Sequence, residues 1–243
     1  MKNTIIFLGL IGLFFVSCKQ KKELKVDEII EETLKNSGTE FLQDVTVAFD
    51  FDQNKMEVYK KYGEFKYSRA FQDTLGNTII DEVNNQGFVR LMNGEPLHLP
   101  ENLTEKYKKK LYYFVFQGLV PYRLQQPMKT KELLGTEEVK FEKYYKIKAT
   151  YENTYPAEVV YWINVDDYTI DYIGFMDMDA KTPILRVAID EEKISGIWFS
   201  DFIRYYSDKP VSIDSLGQLY SNQELKEGKL IEVSNISIKS NPI

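Results

Sequence analysis

Between residues 45 and 92 apolar and polar residues alternate with a period of two, in runs that stop at turn-forming residues. VTVAFDFD (45–52), KMEVYKKY (55–62), EFKYSRAFQ (64–72), TIIDEVNN (78–85) and GFVRLM (87–92) are separated by DQN, the single Gly63, TLGN and NQG. This pattern predicts a meander of five strands. A period of two also sorts side chains by face. Phe65, Tyr67, Arg69 and Phe71 fall on one side of their strand, and Lys66, Ser68 and Ala70 on the other. One face is therefore expected to be aromatic, with an arginine embedded in it.

Two segments change to a helical period. Val26, Ile29, Ile30, Thr33 and Leu34 follow i, i+3, i+4, i+7, i+8 spacing, with Asp27, Glu28, Glu31 and Glu32 mostly opposite and Asn36 to Gly38 as a stop. ENLTEKYKKKLYYFVFQGL (101–119) places Leu103, Tyr107, Leu111, Phe114 and Val115 on one stripe, with lysines around the rest and Gly118 and Pro121 at its end. The first helix is expected to dock on a core. The second is expected to cover or plug a curved sheet; a membrane-surface role is its alternative.

Beyond residue 130 strand patterns return: 137–152, 157–167, 168–179, 183–190, 194–207 and 229–238. Both alternate faces of VVYWINV are apolar, so that strand is expected to be covered on each side. Short connections imply antiparallel pairing. The expected fold class is α+β and β-dominated: a large curved antiparallel sheet, an open or half barrel, covered by two main helices in one domain, residues 27–243.

The N-terminus follows different rules. Met1, Lys2 and Asn3 precede an unbroken apolar run from Ile5 to Val16, then Ser17 and the only cysteine, Cys18. Twelve apolar residues fall short of the ~20 that cross a bilayer, so 1–17 reads as a secretory signal rather than a span. The N-terminus resembles that of bacterial lipoproteins, which implies that Cys18 is the lipidated first residue of the mature chain. Acyl chains buried at about 0.8 kcal/mol per methylene would tether the protein to a membrane. The basic stretch KQKKELK then lies within a tether, residues 18–26. No acidic residue stands before Glu23, which favours the periplasmic face of a bacterial envelope membrane.

Composition narrows the function. Hydrophobic residues make up 43% and aromatic residues 14% of 243, enough for a sizeable core. A net charge of −6 argues against nucleic acid. One cysteine and one histidine exclude a disulfide framework and multi-histidine metal sites, and no cofactor is implied. His98, between Leu97 and Leu99, reads as a hydrogen-bonded loop residue. No nucleophile-elbow, zinc-protease, P-loop or dinucleotide motif occurs. Asp166, Asp167, Asp171, Asp177 and Asp179 cluster in sequence, leaving carboxylate-based hydrolysis as an alternative to plain solvated acids.

The segments NNQGFVRLMNGEPLHLP, YYFVFQGLVPYRLQQP, VVYWINVDDYTIDYIGF and ISGIWFSDFIRYY, in this order, resemble a family of uncharacterised envelope lipoproteins known as a domain of unknown function. The resemblance spans roughly residues 28–207. That family is in turn similar to the periplasmic lipoprotein-carrier and lipoprotein-receptor fold, an unclosed β-barrel whose hollow accepts acyl chains. The supply of aromatic residues beyond one small core motivates a membrane-anchored binding module for an acyl chain of a lipid or lipoprotein, or another apolar ligand, with Phe65, Tyr67, Phe71, Trp162, Phe175 and Trp198 as candidate lining. Its alternatives are a scaffolding lipoprotein with a filled core and an envelope hydrolase using carboxylates.

Overall fold

The structure is a computed structural model that describes residues 24–152, 154–177 and 179–241. The signal segment 1–17, Cys18 and the tether up to residue 23 lie outside the described residues. The helices are α1 (Val26–Asn36), α2 (Glu101–Gly118), α3 (Val120–Arg123) and α4 (Leu216–Ser221). The first sheet contains β1 (Val45–Phe51), β2 (Asn54–Lys61), β3 (Glu64–Gln72), β4 (Thr78–Asn84), β5 (Gly87–Met92), β6 (Glu95–Pro96) and β14 (Val233–Ser240). The second contains β7 (Thr130–Val139), β8 (Glu142–Thr150), β9 (Glu158–Asn164), β10 (Ile170–Met176), β11 (Pro183–Ile194), β12 (Ile197–Tyr206) and β13 (Lys226–Ile231).

Each sheet is antiparallel and seven-stranded, in the orders β14-β1-β2-β3-β4-β5-β6 and β13-β12-β11-β10-β9-β8-β7. The fold is thus α+β, β-dominated and open. The sheets join at one seam, where β13 passes into β14 through Glu232 and the Val233 N–H donates to Asp201 Oδ1 at 2.7 Å. At the other margin β6 and β7 are edges that do not pair with each other.

Two expectations about strands are corrected. Residues 137–152 are a hairpin, not one strand: Lys140 and Phe141, with φ of 51° and 73°, turn the chain between β7 and β8. Residues 229–238 likewise divide between β13 and β14, one in each sheet.

The helices fill the space between the sheets. Leu111, Val115, Phe116 and Leu119 pack with Val47, Phe49, Met56, Val58 and Val83 of the first sheet and with Ile197 and Phe199 of β12. Ile29 and Ile30 of α1 and Val120 of α3 pack on Ile147, Val159, Tyr161, Ile173 and Phe175 of the second sheet. Full burial of such a side chain contributes about 1.5–3 kcal/mol. The outer face of the second sheet is covered too, with Trp162, Val160 and Leu185 beneath Ile213 and Leu216. The continuous apolar run in β9 has this cause.

α1 begins with acidic residues beside its N-terminus and a Glu28 carboxylate that accepts the Lys25 N–H at 2.8 Å. It ends at Gly38, with φ of 67°, where an added Cβ would lie 1.8 Å from the Gly196 carbonyl oxygen. Glycine is required there both for the left-handed backbone and for the approach of the β11–β12 turn.

Candidate functional site

The inward face of β3 carries Phe65, Tyr67, Arg69 and Phe71, and the neighbouring strands add Lys60, Asp81 and Arg90 in register. At one end of the space between the sheets these meet aromatic residues from α2 and α3. Tyr67 lies edge-on to Tyr112 with centroids 5.9 Å apart, Tyr112 stacks on Phe116 at 5.8 Å, and Phe65 lies 5.0 Å from Tyr67. The Tyr67 and Tyr122 hydroxyls hydrogen-bond at 3.0 Å. Burial, and then the neighbouring Tyr122, push the Tyr67 hydroxyl well above its ordinary range, so it stays neutral.

Two adjoining hollows open around this cluster. One, of about 540 Å³, lies on the β2–β3 side against Lys60, Phe65, Tyr67, Tyr112, Tyr122 and Gln126. The other, of about 410 Å³, lies toward the β8–β9 connection against Tyr112, Phe116, Arg123, Gln126, Met128 and Tyr151. They share Tyr112 and Gln126, and each falls in the size range of small-molecule sites. Deeper in, the interior is packed. A narrow void of about 30 Å³ beside Ser37, Gly118, Trp198 and Phe199 has room for a water or two.

Charge in this cleft is uneven. Lys60 and Lys61 are balanced by Asp44 and Glu64 in the first hollow; in the second Lys129 pairs with Glu152 and Lys108 with Glu105, and Arg123 has no carboxylate partner among the described residues. Lys60 Nζ sits 4.5 Å from the Tyr122 ring centroid. Arg123 is 2% exposed and its guanidinium lies 4.3 Å from the Tyr151 centroid. It donates to the carbonyl oxygens of Tyr155 and Pro156, while its Nε has no partner.

Further along, one carboxylate serves two buried arginines. Asp81 accepts from Arg90 Nε at 2.6 Å, from Arg90 Nη2 at 2.8 Å and from Arg69 Nη2 at 2.5 Å. Tyr107 covers Arg90 and Phe114 covers Arg69. α2 is thereby stacked on the charged triad, which costs less than burying the same charges against aliphatic surface.

The six aromatic residues expected as lining are dispersed. Phe65 and Tyr67 stand in the cleft. Phe71 packs 4.4 Å over the Arg69 guanidinium, away from the hollows. Trp162 is fully buried on the outer face of the second sheet, Phe175 is fully buried against Tyr113, and Trp198 lines the small void, its backbone N–H donating to the Ser37 carbonyl while its indole N–H has no partner among the described residues. Tyr112, Phe116, Tyr122, Arg123 and Tyr151 were not anticipated. A signal for two of them exists: Tyr112 and Phe116 form a second i, i+4 stripe on α2, the mark of a helix buried on more than one side.

Asp167 and Asp171 both lie within hydrogen-bond reach of the Thr169 hydroxyl, and Glu142 and Asp171 of the Tyr144 hydroxyl, whereas Asp177 stands apart from them. Asp177 accepts from Arg204 at 2.6 Å and from the N–H groups of Asp179 and Ala180, so it braces its loop. Asp171 accepts from Tyr144 at 2.9 Å and Thr169 at 2.6 Å, and burial holds its carboxyl above the usual range. Asp171 and Asp177 stand six positions apart along the extended chain of β10, about 20 Å, beyond the spacing used by paired carboxylates in glycoside hydrolysis. Among the described residues no acid, histidine or cysteine group could hold a metal ion, and no helix is long and apolar enough to cross a membrane.

No protein-family model matches the chain, and no curated protein matches it. Among solved structures it is similar to a LolA superfamily protein from Nitrosomonas europaea, with a TM-score of 0.50, 14% identity, and 90% of this chain and 96% of the other covered. It is also similar to a putative outer membrane lipoprotein-sorting protein domain from Vibrio parahaemolyticus (TM-score 0.48, 12% identity, coverage 89% and 93%) and to a DUF1329 family protein from Desulfovibrio piger (0.46, 14%, 87% and 92%). The first likeness, across nearly the whole of both chains, shows the fold: two opened walls of antiparallel strands with helices between them.

Proposed function

We propose that this chain is a lipid-anchored protein of the bacterial envelope that binds an apolar ligand, an acyl chain of a lipid or lipoprotein, in the aromatic cleft. The observation that carries this reading is the adjoining pair of hollows in a LolA-type fold, walled by rings from the first sheet, from α2 and α3 and from the β8–β9 connection. Aromatic walls offer large apolar area at little entropic cost, and the open margin between the sheets leaves the walls free to part. The chemistry asked of such a site is binding: burial pushes the Tyr67, Tyr112 and Tyr151 phenols up, and among the described residues no nucleophile–base pair lines the hollows. The signal segment and Cys18 supply the membrane attachment, and the tether ends beside the cleft. Asp27 at the start of α1 forms an ion pair with Lys131, two residues from the hollow-lining Lys129.

Uptake of a fluorescent fatty acid by the chain from Lys19 onward, which contains every described residue, tests the proposal. Saturable binding that weakens in Tyr112→Ala supports it. The packed interior favours a second reading, a scaffold with a filled core, and the absence of saturable uptake would select it.

A further inference from the structure

The chain has five arginines, and all five face the space between the sheets. Arg69, Arg90, Arg123 and Arg186 are buried, and Arg204 is partly so. Among the described residues two carboxylates pair with them: Asp81, shared by Arg69 and Arg90, and Asp177, which pairs with Arg204. Arg186 is held by the Gln117 backbone and side-chain oxygens between Phe51 and Phe202, and Arg123 by two backbone carbonyls. Among the described residues neither has a carboxylate partner. A protein of net charge −6 thus encloses an excess of cations, which are costly to bury unpaired.

The excess reaches ligand-accessible space at one place. In the second hollow Lys129 pairs with Glu152 at 3.4 Å and Lys108 with Glu105 at 3.5 Å, whereas Arg123 has no carboxylate partner among the described residues and its Nε is buried without an acceptor. The adjoining hollow is balanced in charge and richer in rings.

We infer that the ligand is an anionic amphiphile, its carboxylate or phosphate head held in the hollow of Arg123, Lys108 and Lys129 and its chain laid over Tyr112 toward Phe65 and Tyr67. This rests on the apolar-ligand reading above and adds the charge of the head. An anion there supplies the missing acceptor to a desolvated guanidinium, a charge-assisted contact. A free anion would gain the head contacts alone.

Calorimetric titration of the chain from Lys19 onward with dodecanoate, dodecanol, dodecylammonium and acetate, below micelle concentrations, tests this. Dodecanoate is expected to bind about tenfold or more tightly than dodecanol, dodecylammonium more weakly still, and acetate not measurably. Arg123→Gln is expected to erase the preference; because Arg123 also braces the β8–β9 connection, Lys108→Gln with Lys129→Gln is the companion variant, expected to reduce the preference for dodecanoate over dodecanol. Equal binding of acid and alcohol overturns the anionic head and leaves the apolar cleft standing. Binding of acetate as tight as dodecanoate overturns the amphiphile in favour of a free-anion site. Failure of all four to bind overturns both readings.

Discussion

The hydroxyl of Tyr67 on β3 lies 3.0 Å from that of Tyr122 on α3, joining the first sheet to the helical segment that packs on the second. Each hydroxyl is buried, so the pair ties the two walls at the back of the cleft. Tyr122→Phe leaves Tyr67 without its partner and is expected to lower stability by about 1 kcal/mol in urea unfolding. The double variant Tyr67→Phe, Tyr122→Phe is expected to cost less than the sum of the single changes. Additive costs would show that the two hydroxyls do not act as a pair.

Asp81 is the only acceptor between Arg69 and Arg90 that carries charge. Asp81→Asn keeps the shape and strands two cations against α2, with an expected loss of about 3–5 kcal/mol. A loss below about 1 kcal/mol would mean that Tyr107 and Phe114 alone hold the arginines.

Burial pushes the Asp177 carboxyl up, but the Ala180 N–H, the Arg204 guanidinium and the Asp179 N–H outweigh it and hold the group below 3.8. The native chain therefore binds this proton less readily than the unfolded chain. The stabilisation is complete above the unfolded value and is lost as pH falls below it through the lower folded value. Asp177→Asn should flatten stability against pH in that acid window and leave it unchanged near neutrality apart from a constant offset. An unchanged slope would rule out this linkage.

Cys18→Ser is expected to move the protein from the membrane fraction to the soluble fraction and to abolish acyl labelling. Labelling that persists in Cys18→Ser would place the anchor elsewhere.

How much of this was legible in the sequence depends on which forces left local marks. β3 and β5 match their predicted limits to the residue, because alternation there is interrupted by Gly63, TLGN and NQG, residues that turn a chain by their own preferences. The β7–β8 turn is made by Lys140 and Phe141, neither a customary turn residue, and alternation runs straight through it. β7 is an edge strand with one buried residue, Val139, so its pattern is faint. Glu232 moves the chain from one sheet to the other without breaking the period of two.

The cleft was half legible for a similar reason. Register alone assigns Phe65 and Tyr67 to one face, and they do share the cleft. Which of the other rings join them depends on where α2 and α3 dock. Trp162, apolar in an apolar strand, carries no mark that distinguishes the outer face from the inner one. Arg123 lies in a four-residue helix too short for any periodicity, and its partners are more than thirty residues away.

If the cleft, rather than another apolar surface, receives the acyl chain, photolabelling the protein with a diazirine-bearing fatty acid and mapping the adducts by mass spectrometry will locate it there. The expected result is saturable adducts confined to peptides carrying residues 60–67 and 112–128, competed by unlabelled fatty acid. Adducts concentrated around Trp162 and Tyr220 on the outer face, or labelling that does not saturate, would contradict it.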